Sequence, residues 1–221
     1  KTPVQLHFEK RGRVKQDGLS IASRFPFSFL MKTRTVALTR EVVVYPPIEQ
    51  TEDFFEVLPM ITGEFETYVR GRGDDLYRIW DYQPEDSARH VDWKSTAKSG
   101  TLKVREFTRE DERKLRIVFD NPAPGTVAEE SYERHIGLAA SLAWHFSGEQ
   151  TELMFAAPGY SGSDSIYDFF EYLAEVKPRA GESVLDKLHV TDDYNLVFTA
   201  RPRGSVPTPL WQTSYFVFMS E

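Results

Sequence analysis

The strongest constraint on the fold is a run of apolar residues that ends in one acid. Leu115-Arg-Ile-Val-Phe119 is almost continuously apolar and closes on Asp120, the pattern of a strand buried on both faces of a sheet. Beyond it the elements alternate. A loop with Pro122, Pro124 and Gly125 leads to 131–146, where Ile136, Ala139, Ala140, Ala143 and Trp144 recur at helical spacing. Residues 152–156 read as a second strand, 166–176 as a second helix, 195–199 as a third strand and 215–219 as a fourth. This order predicts an α/β region from about 113 to 221, a parallel sheet with helices on both faces.

The segment 1–112 reads as a β-rich N-terminal region. Short strand-like runs occupy 4–8, 19–22, 27–31 and 41–45, punctuated by Gly12, Gly18 and Pro26 and closed by Pro46-Pro47. They predict a small antiparallel unit, too short for a sandwich, that borrows strands from later in the chain. In 48–67 the expectation is a helical turn stopped by Pro59. Residues 87–98 read as a helix with Gly100 as its C-terminal stop, and 101–105 alternate like a strand.

Composition excludes several functions. A net charge of −7 over 221 residues opposes binding to phosphate backbones, so nucleic acid is not an expected partner. The chain has no cysteine, hence no disulfide, thiolate metal site or cysteine nucleophile. It contains no apolar stretch of membrane-spanning length. It begins at Lys1-Thr2-Pro3 without an initiator Met, which predicts a fragment or processed form.

In an open α/β sheet, ligands sit at the C-terminal ends of the strands, which singles out Asp120. Hydroxyls two and four residues later would complete a hard-cation site, but those positions are Pro122 and Pro124. Asp120 therefore reads as the remnant of a metal site, fixing a loop or cap, with no metal or other cofactor expected; Thr126 or Thr199 would have to supply ligands for the alternative, a divalent-metal-dependent adhesion-type module. No catalytic constellation is present. Gly159-Tyr-Ser161-Gly-Ser163 misses the nucleophile elbow and reads as a turn. His7, His90, His135, His145 and His189 are scattered, and His135 and His145 lie about 15 Å apart on one helix. Gly71-Arg-Gly73 lacks the rest of a phosphate loop, Arg72-Gly73-Asp74 is too short to assign to adhesion, and Asp74-Asp75 read as solvated loop charges.

The most informative stretch runs from Gly71 to Ala97, where Tyr77, Trp80, Tyr82 and Trp93 stand among alternating acids and arginines. Such a mix either welds two parts of a fold through bidentate Arg–Asp pairs or presents a partner-docking surface. Here the sequence resembles the bacterial family called domain of unknown function fifty-eight, through Gly71, Arg72, Gly73, Asp75, Tyr82, Pro84, Asp86, Arg89, Asp92, Trp93, Lys94 and Ala97. Phe25-Pro26-Phe27, Val43 to Pro46 and the strand ending at Asp120 extend the likeness. Glu85 departs from it, standing where the family usually has Gly.

The resemblance implies a von Willebrand factor A-like domain at the C-terminal end and membrane helices upstream of Lys1. It also implies a MoxR-type AAA+ ATPase as partner, in the assembly or maturation of an unknown client protein. The expectation is thus a non-enzymatic adaptor or scaffold, bacterial, held at the inner membrane with this region on the cytoplasmic side. Arg72, Asp75, Asp86, Arg89, Asp92, Trp93 and Lys94 form its interaction or structural signature.

Overall fold

The computed structural model describes residues 7–26, 28–73, 78–83, 91–106, 113–149, 151–188 and 193–220. Its centre is a four-stranded parallel sheet of β5 (Lys114–Asp120), β6 (Glu152–Ala156), β7 (Tyr194–Thr199) and β8 (Ser214–Phe218). The order is β6-β5-β7-β8. Strands 152–156 and 195–199 lie where the apolar runs place them, and the flanking helices are α3 (Glu129–Ser147) and α4 (Ile166–Glu175).

Alternation along the strands divides the core in two. Leu115, Ile117, Phe119, Leu196 and Phe198 point to one face, where they meet Ile136, Ala139 and Phe146 of α3 and Phe169 and Leu173 of α4. Val118 and Val197 point to the other, against Leu185 and Leu210. Helices on both faces were expected, and this is corrected: among the described residues the second face carries short 3-10 turns, Val184–Asp186 and Thr208–Gln212. Ala156, Val184, Leu188 and Phe216 pack around these two leucines and complete the cover of Val118 and Val197.

The third helix of the main face comes from upstream. α1 (Glu52–Gly73) runs through Pro59, correcting the expected turn stopped at that proline. An interior proline costs roughly 3 kcal/mol. Phe54, Ile61 and Phe65 of α1 are buried in the main core, and each contributes about 1.5–3 kcal/mol, so burial outweighs the break. Tyr194 of β7 donates a 2.8 Å hydrogen bond to Glu64 of the same helix.

The N-terminal region holds one long hairpin, β1 (Gly12–Ser23) with β2 (Lys32–Val44), antiparallel with a bulge between Gln16 and Gly18. It absorbs the expected strands at 19–22 and most of 41–45, and among the described residues its strands pair only with each other. The expected strand at 27–31 is instead the hairpin's turn, as far as described: Ser28 and Phe29 are in turn conformation. Residues 7 and 8 are outside any strand, and 1–6 lie outside the described residues.

Arg11 fastens the hairpin's base. Its guanidinium forms a bidentate pair with Glu133 of α3 at 2.7 and 2.8 Å and donates to the carbonyls of Leu173, Ala174 and Val176. It thereby caps the C-terminal end of α4, where unpaired carbonyls favour a cation. Gly12 follows at φ +131°, a backbone conformation that a side chain would strain.

A second small unit pairs β3 (Arg78–Asp81) antiparallel with β4 (Lys103–Glu106), joined by α2 (Trp93–Ser99). Gly100 terminates α2 at φ 74°, as the sequence predicts. No helix among the described residues is long and apolar enough to cross a membrane.

Candidate functional site

In a sheet of this order the ligand crevice opens where the crossovers diverge, between the C-terminal ends of β5 and β7. Asp120 and Thr199 are register partners at those ends. Asp120 is 4% exposed, and its carboxylate is fully engaged. Oδ1 accepts from the Ser183 hydroxyl at 2.8 Å and the Val184 N–H at 3.0 Å; Oδ2 accepts from the Thr199 hydroxyl at 2.8 Å. Thr199 in turn accepts from the Arg201 N–H at 3.1 Å.

The crevice is filled by the chain itself. After α4 the backbone crosses the end of β5, held by Asn121 donating to the Lys177 carbonyl at 2.8 Å and by the Arg179 N–H donating to the Pro122 carbonyl at 2.9 Å. It then reaches Ser183 and turns onto the second face, where Leu185 packs. Tyr132 of α3 donates to Asn121 at 2.8 Å, tying the main-face helix to the same crossing. Burial, together with the Asp120 charge, raises the Tyr172 hydroxyl above its ordinary pKa.

These residues do not fit a hard cation, which takes six or more oxygens. Asp120 is the one carboxylate in the node, three donors already occupy it, and Pro122 and Pro124 offer no side-chain oxygen. Of the two threonines considered as ligands, Thr199 is brought to Asp120 as a hydrogen-bond donor. Thr126 is not among its partners and closes a turn on the Ala123 carbonyl. Ser183 was missed, although Ser183-Val-Leu-Asp186 has the spacing of a capping box; its hydroxyl also accepts from the Leu185 N–H at 3.2 Å.

The signature block separates into a buried member and exposed ones. Asp92, 6% exposed, is the N-cap of α2: Oδ1 accepts from the N–H groups of Lys94 and Ser95 at 3.0 and 3.1 Å, and Oδ2 from the Ser95 hydroxyl at 3.2 Å. The Asp92 N–H donates to the Lys103 carbonyl, and the Lys103 N–H to the Thr96 hydroxyl, so α2 is fixed to β4. Trp93 follows the cap and is 71% exposed, with Lys94 exposed beside it. Arg72 and the two glycines flanking it belong to the last turn of α1, not to a phosphate-binding loop. Asp75, Asp86 and Arg89 lie outside the described residues, as do His90, His189 and the Asp74-Asp75 pair.

The remaining candidates are structural. Ser163 donates its hydroxyl to Asp168 at 2.6 Å and its N–H at 3.1 Å, which lowers the Asp168 pKa; the turn before it lies at Pro158-Gly159, closed by the Tyr160 N–H donating to the Ala157 carbonyl at 3.1 Å. His135 is buried with Nδ1 2.7 Å from the Ser131 carbonyl, and His145 packs edge-on against Phe54 and Phe146. No group of three or more His, Cys, Asp or Glu suited to a metal occurs among the described residues.

Residues 78–185 match the family model described as Protein of unknown function DUF58, and over that span the chain resembles that family. No curated protein and no solved structure matches the chain.

Proposed function

We propose that this chain is a non-enzymatic adaptor, von Willebrand factor A-like in its α/β part, that docks a MoxR-type AAA+ ATPase or its client protein through the α2 surface. The observation that carries this reading is Trp93. A tryptophan buries some 150–250 Å² when it meets a partner and belongs to the residues that dominate interface energies. Here it stands 71% exposed on a turn fixed by Asp92. A rigid mount lowers the entropy lost on binding, and Lys94 beside it adds a charge for orientation.

The crevice supports the non-catalytic part of the reading. Asp120 and Thr199 are bonded to each other and to the crossing segment, and the hydrogen bonds of that node involve no histidine among the described residues. Asp120 then serves as a pin where a metal-dependent relative would hold its ion. Attachment to the cytoplasmic face of a bacterial inner membrane, through helices upstream of Lys1, completes the proposal.

The test is affinity capture from native lysate, with bound proteins identified by mass spectrometry, comparing wild type with Trp93→Ala after circular dichroism shows both folded. Wild type retains an AAA+ ATPase and Trp93→Ala loses it. Retention by the variant, or no ATPase under any nucleotide condition, overturns the proposal.

A further inference from the structure

The outer half of the β1–β2 hairpin is an arm whose composition differs from the rest of the chain. Between Gly18 and Arg40 lie Arg24, Lys32, Arg34 and Arg40 and no acidic residue, in a chain whose net charge is −7. All four cations are exposed. The six residues from Gly18 to Ser23 extend the arm about 20 Å at the usual rise per strand residue.

Register sorts the arm's side chains. Leu19 pairs with Val36 and Ile21 with Arg34, and Leu38 shares their side by the two-residue repeat. The opposite side carries Ser20 and Thr35, joined hydroxyl to hydroxyl at 3.0 Å, and Ala22 opposite Thr33. One side therefore carries the arm's large apolar residues together with Arg34, and by the same repeat Lys32 and Arg40, while the other is small and hydroxylated. The mixed apolar and cationic side leads into the tip, where Phe25 is 87% exposed, Phe29 85%, Leu30 61% and Met31 59%. Arg24 and Lys32 bracket these residues.

We propose that this tip docks on an anionic lipid surface, Phe25, Phe29, Leu30 and Met31 entering the acyl boundary while Arg24, Lys32 and Arg34 meet the headgroup phosphates. Composition favours a bilayer: exposed apolar side chains cluster at the tip with a cation on either side of them in sequence, and interfacial binding needs only about 5–10 Å of penetration. Charge favours an anionic surface, which attracts the cationic arm and repels the acidic remainder, so the arm is presented first. This reading is independent of Trp93 and of any ATPase.

The experiment is flotation of the purified chain with phosphatidylcholine vesicles, with and without phosphatidylglycerol, at low and high salt. Wild type floats with the anionic vesicles and not with the neutral ones, and salt weakens the binding. Two variants test the two components: Phe29→Ser with Leu30→Ser, and Arg24→Glu with Lys32→Glu. Each weakens binding about tenfold or more, with an unchanged melting temperature because the altered side chains are exposed, and Trp93→Ala floats like wild type. The proposal is overturned if wild type ignores anionic vesicles, or if both variants float as wild type does. It is also overturned if the serine variant dissociates a dimer seen by sedimentation while flotation is unaffected, since the apolar tip is then a contact between copies.

Discussion

Thr199 donates its hydroxyl to Asp120 across 79 positions of sequence at 2.8 Å, joining the ends of two neighbouring strands at the one place where the sheet's crossovers diverge. With Ser183 and Val184 on the other oxygen, the carboxylate determines where the crossing segment lies. Replacing it with a carboxamide leaves one acceptor oxygen for three donors and turns an NH2 toward the rest. Asp120→Asn is expected to lower unfolding free energy by about 2–4 kcal/mol, the cost of buried donors left unpaired at a charged acceptor. Urea denaturation measures it, and a loss below about 0.5 kcal/mol would contradict the role of the pin.

The same geometry makes a statement about metals. A ligand that binds only the folded state raises the melting temperature, so excess Mg²⁺ or Mn²⁺ is expected to leave the melting curve of wild type in place. A concentration-dependent rise, abolished in Asp120→Asn, would restore the metal-dependent adhesion reading.

Arg11 is the hairpin's fastening to the body of the protein. Arg11→Lys keeps the charge but loses the bidentate geometry and most of the carbonyl contacts to α4. The expected loss is about 2 kcal/mol, reduced from the burial value because Glu133 is partly solvated. Hydrogen exchange locates it: amides at the base of β1 and at the end of α4 exchange faster, while those of β5 and β7 keep their protection.

His135 gives the fold a dependence on acid. Burial, with the neighbouring Arg134 charge, lowers its pKa, against the raising influence of the Ser131 carbonyl and of Asp53. The unfolded chain takes up this proton near pH 6.5 and the folded one resists it. Stability from this group is complete above that pH and is lost as pH falls through the lower, folded value. His135→Gln is expected to flatten the decline in urea midpoint below about pH 6.5; an unchanged slope would show that other groups carry it.

Pro59→Ala is expected to stabilise the protein by about 1–3 kcal/mol. Alanine restores the hydrogen bond that proline denies and relieves the clash within α1, and the gain is offset in part by greater freedom of the unfolded chain. Calorimetry decides the sign.

That proline also shows where sequence reading gave way. Phe54, Val57, Leu58, Ile61, Phe65 and Tyr68 keep helical spacing straight through position 59, and periodicity was the better guide because it reports burial, which outweighs one broken bond. The sheet was legible for the same reason: strands buried on both faces are written as apolar runs. The turns that cover the second face were not, since a short turn with one leucine has no period to detect. At the site, Asp120 and Thr199 were visible as strand ends, but Ser183 reaches them through a crossing that local pattern does not encode. Asp92 was found by resemblance, and its capping role follows from the Ser95 and Lys94 N–H groups. Arg11 gave no signal, because its partners lie 122 to 165 residues away.

The strand order carries a kinetic consequence. β5 is made first among the sheet strands yet lies inside, so it must capture β6 on one side and β7 on the other, with residues as distant as Asp120 and Thr199 brought into register. Closing loops of that length precedes any reward from the contacts they allow, which places this chain among slow folders. Until β7 arrives, one edge of β5 stands open, and the apolar run that makes the sheet so readable is then the segment most exposed to pairing with another molecule.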